Sequence, residues 1–331
     1  MISKRTEKYS VSARLAVCSF FTLHPSRLIC YNYTPMTSIL KWQIELIVII
    51  QKIHNPLLDH FFQVLSWMGT EPFYILLFSF LFWCIDTELG YKVALIYLFS
   101  TYINENIKYL LQQPRPFDLY PDLKLSEAEG YGFPSGHAQS STVIWITLAW
   151  FKRKIYLWLM AFILILIIGF SRIYLGLHFP TDVLGGWITG IIIIFSGMIL
   201  IKPLKNIFKK LSPQQFVLLS LVLCIVLFFL NPVRQNASVA GTMAGVLTGI
   251  AYRGKHHFTS KDPWKYRILR LTTGVIITSI IYLTCKLLLE GFPVFLNYFP
   301  RYYILGLWIT AGAPELFYFL GLIEKTDCRL L

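Results

Sequence analysis

The amino-acid sequence predicts an all-α, polytopic membrane bundle, and three observations carry the prediction. First, 56% of the 331 residues are hydrophobic and only 14% are charged. A soluble domain carries about a quarter charged residues, so this chain has too little polar surface to cover a water-exposed globule. Second, apolar stretches of roughly the length that crosses a bilayer recur along it. Third, its basic excess, 30 Lys plus Arg against 17 Asp plus Glu, sits between those stretches and not in one patch on a polar domain, which argues against a nucleic-acid partner.

Taken in order, residues 1–35 form an N-terminal extension without periodicity. Its weak apolar run at 15–23 makes a poor signal-peptide core without a convincing cleavage site, and Met36 is an alternative start. Within 36–70, Trp42, Leu46, Ile49, Ile53, Leu57 and Phe61 recur at helical spacing opposite Gln43, Glu45, Lys52, Asn55 and Asp59. That pattern favours a helix lying on the bilayer surface over a short spanning one. A core at 71–201 holds five apolar stretches: 71–85, 91–111, 137–151, 155–177 and 181–201. A basic linker at 202–214 leads to accessory helices in 215–323, with stretches at 216–230, 237–252, 268–289 and 303–323, and then to a tail at 324–331. The second block reads as a separate membrane unit.

Two details refine this organisation. Gly186 and Gly190, and again Gly241, Gly245 and Gly249, recur every four residues, a spacing that lets helix backbones approach closely, here within one molecule. Lys152, Arg153 and Lys154, then Lys202, Lys205, Lys209 and Lys210, then Arg253, Lys255, Lys261 and Lys265 fall in alternate loops. Those loops are assigned to the cytoplasm and the opposite face to the outside. The six cysteines are scattered singly, without a C-x-x-C pair, and read as small hydrophobes.

Polar groups at membrane depth are costly and mark either function or a buried pair. Three clusters interrupt the apolar pattern. Asn104, Glu105, Asn106 and Lys108 precede Pro114, Arg115 and Pro116. Lys108 and Arg115 are two helical turns apart, so both cations face one side if the helix persists nearly to Pro114, and Glu105 is an i,i+3 partner for Lys108. The stretch Gly130 to His137 reads G-Y-G-F-P-S-G-H before an apolar helix, placing Ser135 as its N-cap and the amides around Gly136 and His137 at the positive helix end. Ser171, Arg172, His178 and Asp182 span the next connection, where Asp182 is placed to accept the Nδ1 proton of His178 and leave Nε2 free as a nucleophile.

Helix parity puts Lys108, Arg115, His137, Arg172 and His178 on the outer side of the membrane. Cations, helix-end amides, a serine hydroxyl and two histidines suit phosphoryl transfer: the cations and amides neutralise phosphoryl oxygens, one histidine attacks phosphorus and another protonates the leaving oxygen. No carboxylate cluster suited to Mg²⁺ is present, so no metal and no cofactor is expected.

The same residues resemble the signature of the type 2 phosphatidic acid phosphatase (PAP2) superfamily, which also includes vanadium haloperoxidases and glucose-6-phosphatase. Its pattern K-x6-R-P, P-S-G-H and S-R-x5-H-x3-D occurs without departure as Lys108 with Arg115-Pro116, Pro134-Ser135-Gly136-His137, and Ser171-Arg172 with His178 and Asp182. The resemblance covers about 71–201. It implies a helical core in which Lys108, Arg115, Ser135, Gly136 and Arg172 hold phosphate, His178 forms a phosphohistidine, Asp182 orients it and His137 protonates the leaving group. The implied substrate is a lipid phosphomonoester or pyrophosphate: phosphatidate, phosphatidylglycerophosphate, a sphingoid phosphate or a polyprenyl pyrophosphate. The implied setting is a bacterial cytoplasmic membrane with the site facing outward. Two other readings fit the scaffold: a non-catalytic lipid-binding or transport protein, and a vanadate-dependent haloperoxidase, against which the apolar helices argue.

Overall fold

The computed structural model describes residues 38–208, 210–252 and 262–322. The extension at 1–35, the tail at 324–331 and the basic residues Lys209, Arg253, Lys255 and Lys261 lie outside the described residues. By packing, Trp42–Leu331 is one compact unit; of the other, Met1–Lys41, only the start of the first helix is described.

Every regular element among the described residues is helical. Helix α1 (Ser38–Ile50) runs into a 3-10 turn at Gln51–Ile53, and α2 follows at Pro56–Trp67. The single surface helix expected within 36–70 is therefore two. Pro56 has no N–H to continue the first helix, and Asn55, extended at φ −155°, accepts the Leu58 N–H at 3.0 Å to start the second. Helix α3 (Glu71–Phe80) continues through a π-helical turn at Leu81–Ile85. Helix α4 (Thr87–Leu111) begins where Asp86 accepts the Leu89 N–H at 3.0 Å and stops at Gln112, whose φ is 47°.

After the short α5 (Pro116–Leu119) come α6 (Gly136–Lys152), α7 (Ile155–Tyr174) and α8 (Pro180–Phe208). Helix α8 occupies most of the segment expected to be a linker, with Pro203 inside it. Then α9 (Pro213–Leu230) opens on a reciprocal cap between Ser212 and Gln215, followed by α10 (Arg234–Tyr252) and α11 (Trp264–Leu289). Helix α12 (Val294–Leu307) starts well before the expected 303 and passes through a second π-helical turn, Trp308–Gly312, into α13 (Ala313–Phe319).

The protein is a multi-pass membrane bundle. Helices α7, α8, α9 and α11 are each long and apolar enough to cross a bilayer, and α2 with α3, bent by 54°, passes the same test as a pair. They turn large apolar side chains outward, as with Phe162, Phe195, Phe229 and Leu283. Of the other expected spans, α4 and α10 bury Ser100, Asn104, Asn236 and Ser238 against protein, so they do not need the uniform apolarity that lipid demands.

Close helix approach follows the glycines. A Cβ at Gly186 would lie 2.6 Å from the Ser135 carbonyl oxygen on the α6 side, and one at Gly245 would overlap the Tyr303 carbonyl oxygen of α12. Both sets of small residues thus serve packing within the molecule, as the sequence predicts.

The expectation that the C-terminal block is a separate unit is corrected. One core cluster joins Phe82, Trp83 and Leu98 to Val246, Ile309 and Phe317. Polar bonds cross the same boundary: Trp83 Nε1 donates to the Ile309 carbonyl at 2.9 Å, Tyr102 Oη to the Leu227 carbonyl at 3.0 Å, and Asn231 Nδ2 to Asn106 Oδ1 at 3.2 Å. The reason is chemical: an apolar helix reads alike in sequence whether lipid or another helix covers it.

Candidate active site

The ends of four helices converge on a cavity of about 370 Å³ lined by Lys108, Arg115, Gly136, His137, Arg172 and His178. Ser135 and Asp182 stand behind that wall. Lys108 is on the last turn of α4, but the helix ends at Leu111, so Arg115 reaches the cavity by a different route from the one expected. It caps α5, its N–H donating to Asp118 Oδ2 at 2.7 Å. Among the described residues Lys108 forms no ion pair with Glu105; both line a second, larger cavity next to the first.

The Arg115 side chain is 4% exposed and nearly saturated. Nε donates to the Gly130 carbonyl at 2.7 Å, Nη2 to the Glu129 carbonyl at 2.7 Å and Nη1 to the Leu177 carbonyl at 3.0 Å. Nη1 also lies 3.1 Å from His178 Nε2. A guanidinium only donates, so Nε2 accepts and the imidazole proton sits on Nδ1. That nitrogen stands 3.4 Å from Asp182 Oδ2 but makes no hydrogen bond to it, contrary to the expectation, and Oδ2 instead accepts the Phe179 N–H at 2.9 Å. Burial, and then the positive charges of Arg115, Arg172 and Lys108, hold His178 well below the usual imidazole range, so the ring is neutral around neutral pH.

Ser135 precedes α6 in extended conformation, φ −65° and ψ 116°, but its hydroxyl does not cap the helix as expected. Instead its N–H donates to the Asp182 carbonyl at 2.9 Å, tying α6 to α8, while Oγ is buried without a hydrogen-bond partner. Gly136 leaves space for α4: a Cβ there would stand 3.3 Å from Asn104 Oδ1 and 3.9 Å from Lys108 Nζ. Behind it, Asn104 Nδ2 donates to Gln139 Oε1 at 2.8 Å and Gln139 Nε2 to Ser100 Oγ at 2.7 Å, fixing α4 against α6. Arg172, 3% exposed, donates from Nη1 to Ser66 Oγ, and its Nε is unpartnered.

Sequence reasoning missed the contribution of the α2–α3 junction. Ser66 holds Arg172, Thr70 lines the cavity, and Gly69 must lack a side chain because a Cβ would overlap the His137 ring. A Gly-Thr pair marks a break between helices, but nothing local shows that the break abuts residues far along the chain. Glu129, in the connection before α6, lines both cavities. Among the described residues, no group of three or more His, Cys, Asp or Glu side chains is arranged to hold a metal ion.

Residues 89–206 match the model of the PAP2 superfamily, and 237–326 match that of the PAP2 superfamily phosphatase transmembrane extension. The chain carries a PAP2 superfamily domain. This PAP2 protein is 30% identical over 212 residues to sphingosine-1-phosphate phosphatase 1 of Mus musculus, covering 60% of this chain and 49% of the relative. It is 26% identical to lipid phosphate phosphatase delta of Arabidopsis thaliana, over 65% of this chain and 57% of the relative. It thus spans about half the length of the curated relatives it matches. Among solved structures it is similar to a transmembrane PAP2-type phosphatidylglycerolphosphate phosphatase from Bacillus subtilis, with a TM-score of 0.44 and 22% identity, covering 50% of this chain and 88% of the other.

Proposed function

We propose that this PAP2 protein is a membrane phosphatase that hydrolyses a lipid phosphomonoester or pyrophosphate through a phosphohistidine on His178, without a metal. One observation carries the reading: His178 offers an unprotonated Nε2 into a cavity lined by Lys108, Arg115, Arg172 and a second imidazole, His137. The names of the relatives, phosphatases of sphingosine-1-phosphate and of lipid phosphate, agree with the substrate class.

The chemistry follows from the donors. Lys108, the Arg172 Nε hydrogen and the Gly136 region stabilise the equatorial oxygens of the phosphoryl group, and the unpartnered Ser135 hydroxyl behind the wall joins them when it turns towards the bound phosphate. Arg115 has one Nη2 hydrogen to spare, and gains the Nη1 hydrogen when a phosphoryl oxygen replaces Nε2 as its acceptor. The N–P bond then forms at His178 Nε2 as the P–O bond to the lipid breaks, and His137, which takes up a proton as the anionic substrate binds, gives it to the leaving oxygen. Asp182 stabilises the charge on His178 through Nδ1–H. In the second step water attacks phosphorus, His137 takes the water proton, and the N–P bond breaks. The basic residues Lys152 and Arg153 lie at the far end of α6 from His137, roughly 24 Å along the helix, which supports a site on the outer face.

The test is phosphate release by purified protein in detergent from phosphatidate, a sphingoid phosphate and a polyprenyl pyrophosphate, with EDTA present. Release is expected with at least one of them. His178→Ala reduces it to background in a folded protein, and Asp182→Asn reduces it less, by roughly 10²–10⁴-fold. A strict requirement for Mg²⁺ overturns the metal-free mechanism, and no release from any substrate favours the lipid-binding reading.

A further inference from the structure

The larger cavity, about 680 Å³, adjoins the phosphate site and shares Thr70, Lys108, Glu129, Gly136 and His137 with it. Its walls come from both sequence blocks: α3 and α4 on one side, α10 and α12 with its π-helical turn on the other. Each wall changes character with depth in the same sense. Along α4 the lining passes from Lys108 and Glu105 through Thr101 to Leu98 and Ala94. Along α10, which runs the opposite way, it passes from Arg234 through Ser238 and Thr242 to Val246, each four residues from the last and so on one face. On α3 it runs from Glu71 to Phe78 and Phe82, and on the fourth wall from Tyr302 to Leu305 and Ile309. Tyr302 Oη donates to Glu71 Oε1 and joins the two blocks at the level of the mouth.

Four walls that all lose polarity with depth, two of them passing from charged through hydroxyl to hydrocarbon, describe the complement of an amphiphile lying along the helices, with its head at Lys108 and His137. From Lys108 to Ala94 the helix advances roughly 21 Å, against a bilayer half-thickness of about 15 Å, so an extended lipid chain reaches the floor without leaving the protein. A cavity of this size and lining is typical of a ligand site and not of a packing defect.

We propose that a hydrocarbon chain of the substrate enters this cavity, and that α10 and α12 set the chain length the enzyme accepts, with Phe82, Ala94, Val246 and Ile309 as the floor. This rests on the phosphatase reading above for its kinetics but not for its binding. The C-terminal helices are then part of the substrate site.

The experiment compares octyl, dodecyl and hexadecyl phosphate as substrates for wild type, Val246→Phe from one wall and Ala94→Phe from the other, with Thr242→Phe as a half-buried, shallower variant. Each bulky side chain displaces two or three methylenes, so kcat/KM for hexadecyl phosphate falls about 10- to 100-fold in the floor variants, while that for octyl phosphate is unchanged. Thr242→Phe penalises dodecyl phosphate as well. Octyl phosphate turnover doubles as the check that a variant is folded. Thermal stabilisation by each alkyl phosphate is measured in parallel with turnover: hexadecyl exceeds octyl in wild type and loses its advantage in Val246→Phe. If wild type binds with this preference but releases no phosphate, the phosphatase reading fails and the chain site stands. Equal stabilisation by octyl and hexadecyl phosphate in wild type, or an undiminished hexadecyl preference in folded floor variants, overturns the chain site.

Discussion

At His178 two demands meet, since a nucleophile for phosphorus must be unprotonated and a group surrounded by cations must be uncharged. The depressed pKa satisfies both. Because it lies well below 6.5 in the native protein, the lone pair on Nε2 persists as pH falls through the range where a free imidazole takes up its proton. The sign for stability is the reverse of that for activity. An unfolded chain binds that proton near 6.5 and the native one does not, so stability conferred by neutral His178 is complete above about 6.5 and declines as pH falls from there towards the native pKa. Kinetics separate this group from the substrate, whose own second ionisation is near 6 in every variant. Arg115→Gln removes the cation 3.1 Å from Nε2, so the acid limb of kcat/KM moves upward relative to wild type on the same substrate. An unmoved limb would mean that another group governs it.

For the helices, backbone proximity is the governing quantity. Gly245 abuts the Tyr303 carbonyl so closely that Gly245→Val forces α10 and α12 apart, and a loss of about 1–3 kcal/mol in thermal denaturation in detergent is expected. Gly197→Ala is the contrasting case, since its Cβ meets Ile96 at an ordinary 3.4 Å, and it stays within about 0.5 kcal/mol of wild type. The positions of the helices in the chain were legible because hydropathy marks them, and the small-residue spacing correctly announced which faces approach. The break at Asn55-Pro56 was also legible in principle, but the apolar periodicity on either side of it stays in phase and masks it. The letters of the site were readable for a different reason: cations and imidazoles set among apolar residues are too costly to desolvate unless they bind something. Ser66, Gly69 and Glu129 carry no such mark, because serine, glycine and glutamate are ordinary at helix ends and in loops, and their partners lie far away in sequence.

On the scale of the whole molecule the two blocks are one structure. A chain ending after Lys210 leaves Trp83 and Tyr102 without their carbonyl partners and exposes half of a shared core to lipid, with each orphaned polar group costing about 1–3 kcal/mol. Such a fragment is expected to aggregate in detergent and to release no phosphate from any lipid, measured beside the full chain. A monodisperse, active fragment would show the halves to be separable. The two π-helical turns, which meet where the Trp83 indole reaches the Ile309 carbonyl, bring this dependence into biosynthesis. The ribosome completes α8 about 110 residues before α13, an interval of roughly 5–20 s at ordinary elongation rates. Throughout that interval the nascent chain holds in the bilayer an indole N–H whose acceptor has not been made, while the Tyr102 phenol waits only for Leu227 of α9, which gives insertion-stage chaperones a defined moment and a defined surface to protect.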